Sequence, residues 1–306
     1  MSITIIKPGF SCSIQDLGRW GFQKYGIPVG GAMDALAASM ANRICGNDDG
    51  DAVLECTLHG TEILLNETAI FAISGGGSSM TVNGESVPFN KQIKAVAGST
   101  IKLHPDPRGC RSYIAFDGGL NAALELGSRS TYTTSFLGGH EGRNLVAGDQ
   151  IQFKKNSANN KKDDIIINEH GFGSSNWKSV SKLLPHVNDE VHINCFKGPE
   201  WDLFTESSHL DIINNFCTIS SNSNRMGYQI EGLHLELREK KEMVSTAVAK
   251  GIIQVTNQGS PIVLMADAQT IGGYPRIARV TNEDIHLLAQ CRPGMKLKLN
   301  IIPSSI

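Results

Sequence analysis

Between residues 265 and 278 the chain reads MADAQTIGGYPRIA, a mixture of residue types suited to chemistry rather than to a plain core strand. The apolar run Pro261-Ile262-Val263-Leu264-Met265-Ala266 breaks into Asp267, Gln269 and Thr270. Gly272-Gly273-Tyr274-Pro275 and the basic residues Arg276 and Arg279 follow. A carboxylate, an amide and a hydroxyl at the end of a rigid strand can fix the orientation of a polar substrate. An arginine adds a planar fork for a carboxylate or phosphate. The glycines and the proline read as a turn, which does not account for the polar residues. Gln254, in Gly251-Ile252-Ile253-Gln254-Val255, is the expected neighbour from an adjacent strand.

Three other segments carry similar chemistry. Gln15, Asp16 and Arg19 close a strand-like run ahead of the glycine-rich stretch Gly26 to Asp34. That stretch delivers the chain to a helix N-terminus, where free N–H groups can receive an anion. The structural alternative is that Asp34 caps those groups itself and Asp16 pairs with Arg19. Arg129 and Ser130 lie in Gly127-Ser128-Arg129-Ser130-Thr131-Tyr132, which continues to Gly138-Gly139-His140-Glu141-Gly142-Arg143. Hydroxyls and arginines at this density suit an oxyanion, or a surface loop bonded to itself. Arg225, in Ser223-Asn224-Arg225-Met226-Gly227, can present its fork to a cleft. The candidate catalytic set is therefore Arg225, Asp267, Gln269 and Thr270. The candidate substrate contacts are Gln15, Asp16, Arg19, Arg129, Ser130, Gln254, Gly272, Gly273 and Tyr274.

Several chemistries are not indicated. Ser74-Gly75-Gly76-Gly77-Ser78-Ser79 lacks the Gly-Lys-Ser/Thr ending of a phosphate-binding loop. There is no Gly-x-Ser-x-Gly elbow and no Ala-Met-Lys-Met biotin-acceptor sequence. The seven cysteines are scattered with no C-x-x-C pair, and the nine histidines show no metal-ligand spacing. No metal is expected. Lys and Arg (28) nearly balance Asp and Glu (30), which argues against a nucleic-acid partner. No apolar run approaches membrane-spanning length and the N-terminus has no leader pattern. A reduced, cytoplasmic protein is the expectation.

The elements that must position these residues are mostly short strands. Ile63-Leu64-Leu65, Ala69 to Ile73, Ile101 to Leu103, Tyr113 to Phe116 and Ile252 to Val255 are β-branched or aromatic runs bounded by turn formers. Helices are expected at 34–45, capped by Asp34 and closed by Gly46-Asn47, at 281–290, and from Pro199 onward. The polar stretch 154–164 reads as a linker, and Arg238 to Glu242 as a hairpin tip. A faint repeat of strand, glycine turn, apolar segment and Gly-x-x-(Ile/Leu)-Lys-Leu occurs in both halves. It suggests two related β-rich domains, about 1–155 and 165–306.

The motifs "SIQDLGRWGFQKYGIPVGGAMD", "ELGSRSTY", "GGHEGR…GD", "SNRMGYQIEG" and "GIIQV…GSPIVLMADAQTIGGYP" occur in one order across nearly the whole chain. In this the sequence resembles the biotin-dependent carboxyltransferase / allophanate-hydrolase subunit-two family. The resemblance implies a mainly β chain of two tandem cyclophilin-like β-barrel domains with a few short helices. In one branch it implies an ATP-dependent 5-oxoprolinase component that opens a lactam to glutamate. Its partners there would be a B-type companion of related, cyclophilin-like fold and a third, A-type component. ATP would serve the assembled complex, with phosphorylation activating the amide and Arg225 and Arg129 binding phosphate or substrate carboxylate at a site between the domains. In another branch the resemblance implies carboxyl transfer to urea from carboxybiotin carried by a partner. Some relatives act instead as non-catalytic partners of a kinase-inhibitory companion, and fold analogy alone suggests a prolyl isomerase. The chain departs from the family pattern at Gly30-Gly31, where Ser-Gly is usual, and at Ala268, where many relatives carry arginine. It departs again at Ser245-Thr246-Ala247, where Ser-Glu-Gly is common.

Overall fold

Alternating burial along short strands builds most of this protein. In the computed structural model, residues 1–154, 165–177, 179, 190–239 and 242–303 are described. The expected linker at 155–164 and residues 240–241 of the expected tip lie outside them. The chain divides into two compact units, Met1–Arg19 with Gly30–His186, and Trp20–Val29 with Val187–Ile306.

The first unit contains two sheets. One runs, edge to edge, through Leu120–Asn121, Gln150–Phe153, Ser2–Pro8, Thr61–Leu65, Thr100–Pro105, Ser78–Val82 and Glu85–Ser86. The other runs through Phe172–Ser174, Ile93–Ala95, Ala69–Gly75, Arg111–Phe116, Val53–Thr57 and Ser11–Gln15. Thr61–Leu65 alternates buried and half-buried residues, as a strand with one covered face must. Ile3, Ile5, Ile63 and Ile101 of the first sheet share a core with Leu54, Phe71, Ile114 and Phe116 of the second. Truncating one such residue to alanine costs about 2–5 kcal/mol.

Arg111–Phe116 is buried at all six positions because its second face lies under helix α1, Ala35–Cys45. Asp34 caps that helix by accepting from Ala37 N at 3.0 Å, and Gly46 ends it in the left-handed region at φ 78°. Ala37, Ala38 and Ala41 meet Val53, Ala72 and Ala115, so small side chains let the helix lie close to the sheet. The Asp34 side chain therefore takes up the Ala37 N–H at the helix start, the contact that the structural alternative for Asp34 called for.

The second unit closes a barrel in the order Glu190–Lys197, Arg276–Val280, Ile252–Val255, Pro261–Leu264, Gly227–Glu231, Cys217–Ile219 and Lys296–Ile302. Its seam is a parallel pairing, from Glu190 opposite Lys296 to Phe196 opposite Ile302. Val191, Ile193, Ile253, Val263, Leu297 and Leu299 fill the interior, as expected for a small barrel. A separate ribbon pairs Thr246–Ala247 with Ile271–Gly272.

Helix α2 is Glu206–Asn214 and helix α3 is Asp284–Ala289. The helix expected from Pro199 does not begin there. Pro199 precedes a 3-10 turn at Trp201–Leu203, because Arg276 holds the Glu200 side chain on the barrel and Thr205 caps a fresh start by accepting from Ser208 N at 3.2 Å. The hydroxyl expected to start the last helix is at work: Thr281 Oγ accepts from Asp284 N at 3.2 Å. Among the described residues no helix is long and apolar enough to cross a membrane.

Candidate functional site

The candidate residues fall into two sets, one in each unit. In the second unit, Arg225 lies just before the strand Gly227–Glu231, and Asp267 just past the strand Pro261–Leu264, its antiparallel neighbour. Pairing continues beyond the strand ends, with Met265 N donating to Met226 O at 3.0 Å and Asp267 N to Arg225 O at 2.9 Å. This register faces the two side chains. Arg225 Nε donates to Asp267 Oδ2 at 2.8 Å and Nη2 to Oδ1 at 2.9 Å. Such a two-point, charge-assisted pair is fixed in direction as well as distance. Asp267 is buried, while the Arg225 side chain keeps 22% of its surface exposed, so the arginine is the member that can meet a ligand.

A second line of contacts runs beside this pair. Gln269 Nε2 donates to Gln254 Oε1 at 3.1 Å, and Gln254 Nε2 donates to the carbonyl of Tyr274 at 3.1 Å. Gln254 is buried and its amide is spent at both ends, so it orients Gln269 and the Tyr274 peptide. Gln269 is only half-buried. Thr270 offers its carbonyl to Val248 N at 3.0 Å, which ties the segment to the ribbon.

The glycines have a different purpose from the one expected. Gly272 and Gly273 are not in the left-handed region, and Gly272 is paired in the ribbon opposite Thr246. A Cβ at Gly272 would stand 2.7 Å from Gln254 Nε2, so glycine is required there for close approach to the amide rather than for a turn. Gly273, Tyr274 and Pro275 line a cavity of about 1060 Å³, together with Val255, Thr256 and His234. The Gln269–Gln254–Tyr274 line thus ends at the wall of a cavity large enough for a small amide.

In the first unit Asp16 is a hub. Its Oδ1 accepts from Ser128 Oγ at 2.6 Å, Ser130 Oγ at 2.5 Å and Gly18 N at 2.8 Å, and its Oδ2 accepts from Arg129 N at 2.5 Å. Four donors on one buried carboxylate pin the loop 128–130 to the end of the strand Ser11–Gln15. Arg19, fully buried, donates to Ser130 O at 2.5 Å, and Arg129 Nη1 donates to Ala122 O. Gln15 donates to Ser13 Oγ at 3.0 Å and to Thr131 O at 3.2 Å, while its Oε1 is buried with no hydrogen-bond partner among the described residues. Asp16, Arg19 and Ser130 thus serve one another. Ser128, the first hydroxyl on Asp16, stands beside Arg129 in sequence but lies outside the candidate set.

The nearby Gly-Gly-His-Glu-Gly-Arg segment also has a structural role. Arg143 clamps Asp149 through two bonds, at 2.7 and 2.9 Å, and His140 Nε2 lies 3.4 Å from the same carboxylate. Hydrogen bonds from Arg143 outweigh burial and, with the Val146 N–H, hold the Asp149 pKa down at about 2. In the second unit, Arg276 grips Glu200 at 2.8 and 2.7 Å and also offers its backbone N–H at 2.9 Å. Burial works against ionisation of Glu200, but these bonds win and its pKa lies below the ordinary carboxylate value. Glu200 gives no sign in the sequence, since its partner is 76 residues away. No cluster of His, Cys, Asp and Glu suited to a metal occurs among the described residues.

Comparison with known proteins agrees with this architecture. The family model "carboxyltransferase domain, subdomain A and B" matches residues 25–301. The chain is 35% identical to the 5-oxoprolinase C subunit of Haemophilus influenzae, over 98% of this chain and 91% of that protein. It is 34% identical to the 5-oxoprolinase C subunit of Escherichia coli, over 96% and 89% respectively. The crystal structure of Kluyveromyces lactis urea carboxylase superposes with a TM-score of 0.88 at 26% identity, covering 99% of this chain but only 27% of that one.

Proposed function

Since the chain belongs to the family of carboxyltransferase domains with subdomains A and B, we propose that it is the C-type component of an ATP-dependent 5-oxoprolinase. What supports this reading above its alternative is length: identity to the two C subunits extends over about nine-tenths of those proteins. A component so named works with companions, and in this reading they are the B-type and A-type components of the same enzyme.

In the proposed reaction the lactam C–N bond of 5-oxoproline is hydrolysed to give glutamate, at the expense of ATP hydrolysis to ADP and phosphate. A phosphoryl group passed from ATP to the amide oxygen, with ADP leaving, would activate the carbonyl carbon. Water would add there, the C–N bond would break to free the amine, and a second water would release phosphate from the acyl phosphate. The residues of this chain bind and orient the amide. Arg225, aimed by Asp267, meets the substrate carboxylate or the phosphoryl oxygens as a fork. Gln269, held by Gln254, faces the lactam amide and sets its rotation. Thr270, Gly272 and Tyr274 fix the backbone around it. Such positioning lowers the barrier by holding the reacting groups in a near-attack geometry. In the first unit Asp16 acts as a positioning residue that sets the Arg129 loop.

The alternative is carboxyl transfer from carboxybiotin on a partner to urea, favoured by the likeness to urea carboxylase over almost the whole of this chain. The deciding experiment is glutamate formation from 5-oxoproline and ATP with the companion components, leaving out each in turn. Glutamate that depends on this chain supports the proposal. A stable complex that makes none, yet carboxylates urea when given a carboxybiotin carrier, overturns it.

A further inference from the structure

Arg276 and Arg279, the basic pair that the candidate site leaves unused, stand on the strand Arg276–Val280. With Lys197, at the end of the neighbouring strand Glu190–Lys197, they line a second cavity in the same unit, of about 340 Å³. The register places Phe196 opposite Arg279, and Arg279 opposite Ile252. Directly opposed residues project to the same face of a sheet. Arg279, on the central strand of the three, thus stands between the apolar side chains of Phe196 and Ile252, with Lys197 at the end of the neighbouring strand.

The charges at this border do not balance. Arg276 is neutralised by Glu200 through two side-chain bonds. Arg279 Nη2 donates to the neutral amide of Asn282 at 3.0 Å, and Lys197 Nζ lies 5.1 Å from the centroid of the Trp201 ring. Each of these contacts holds a cation in place without cancelling its charge. Neither Lys197 nor Arg279 has a carboxylate partner among the described residues. Like charges lining one small cavity repel, and an anion bound between them would relieve that repulsion.

We propose that this cavity binds a small polyanion through phosphoryl or carboxylate oxygens. Arg279 supplies a planar fork, Lys197 a point charge, and Phe196 with Ile252 the apolar flanks of the fork. The site is distinct from the Arg225–Asp267 pair, and the inference does not rest on the proposed activity.

The test is isothermal titration of the folded chain with pyrophosphate and with citrate, at matched ionic strength. Saturable binding of one equivalent is expected, and the preferred probe identifies the oxygen chemistry. Lys197→Gln and Arg279→Gln should each weaken binding about tenfold, the step for one charge-assisted contact, and together abolish it. Both side chains are at the surface, so circular dichroism of the variants should match the wild type. Arg225→Ala should bind as the wild type does. Flat titrations with both probes, undiminished binding by the double variant, or loss of binding in Arg225→Ala would each overturn the assignment.

Discussion

Arg225 and Asp267 form a closed exchange: the side chain of Arg225 donates twice to the carboxylate of Asp267, and the backbone N–H of Asp267 donates to the carbonyl of Arg225. The pair is thereby tied to its strand register, and a change at either residue has two separable effects. Arg225→Ala leaves a buried carboxylate without its cation, so both stability and activity should fall. The activity of the assembled complex should drop about 10- to 100-fold, the worth of one charge-assisted contact. The double variant Arg225→Met/Asp267→Leu should recover most of the stability, since apolar replacement of an ion pair is often neutral. It should not recover turnover. Thermal melts and turnover measured side by side check this, and a double variant with wild-type activity would remove Arg225 from the site.

The Gln269–Gln254–Tyr274 line predicts that Gln254→Leu strands the Tyr274 carbonyl and the Gln269 amide. Stability should fall by about 1–3 kcal/mol, read from urea unfolding. Gly272→Ala should weaken substrate affinity, because its Cβ would stand 2.7 Å from Gln254 Nε2 and push the amide out of line. If Gly272→Ala has normal substrate affinity, the amide line does not orient the substrate.

Asp16→Ala should destabilise the first unit by roughly 3 kcal/mol or more, since four donors lose one acceptor. Asp16→Asn keeps the shape and half the accepting capacity, and it should cost less. Denaturant melts of the two variants give the order, and equal losses would show that the retained amide oxygen replaces none of the four carboxylate bonds.

Acid should release the Arg143 clamp. The folded pKa of Asp149, about 2, lies below its ordinary value of 3.8, so the carboxylate stabilises the native state fully above that value. The contribution declines as pH falls from about 4 to about 2 and is gone below that. Arg143→Met should therefore lower stability near neutral pH and flatten the acid limb of the stability curve over this window. An unchanged acid limb in the variant would assign acid unfolding to other carboxylates.

The seven cysteines are all buried, and burial pushes the thiols of Cys195 and Cys217 up to about 12. A thiol reagent at neutral pH should label none of them in the native protein and all seven in denaturant. Rapid labelling of the native chain would point to local opening.

Much of the fold was legible because its signals are local. Asp34 and Gly46 delimit helix α1 within a dozen residues, and the β-branched runs at 69–73 and 113–116 are strands as written. What could not be read depends on partners far along the chain. Asp16 and Ser130 are 114 residues apart, and only the folded register shows that this carboxylate is saturated by its own loop. Gly272 imitates a turn residue because glycine also serves wherever a backbone must pass close to another group, and composition does not separate the two uses. The Pro199 signal was outweighed by a distant arginine acting on Glu200, which no local pattern contains.

The parallel seam that closes the barrel has a mechanical consequence. Residues 190 and 302 lie at opposite ends of two strands paired side by side, so tension applied between them shears the seam rather than peeling it. All the register pairs from Glu190–Lys296 to Phe196–Ile302 then carry load together, and rupture requires their hydrogen bonds to fail at once. Pulled through these two points, the barrel should behave as a clamp. Pulled across the antiparallel hairpin of Ile252–Val255 and Pro261–Leu264, it should open one bond at a time.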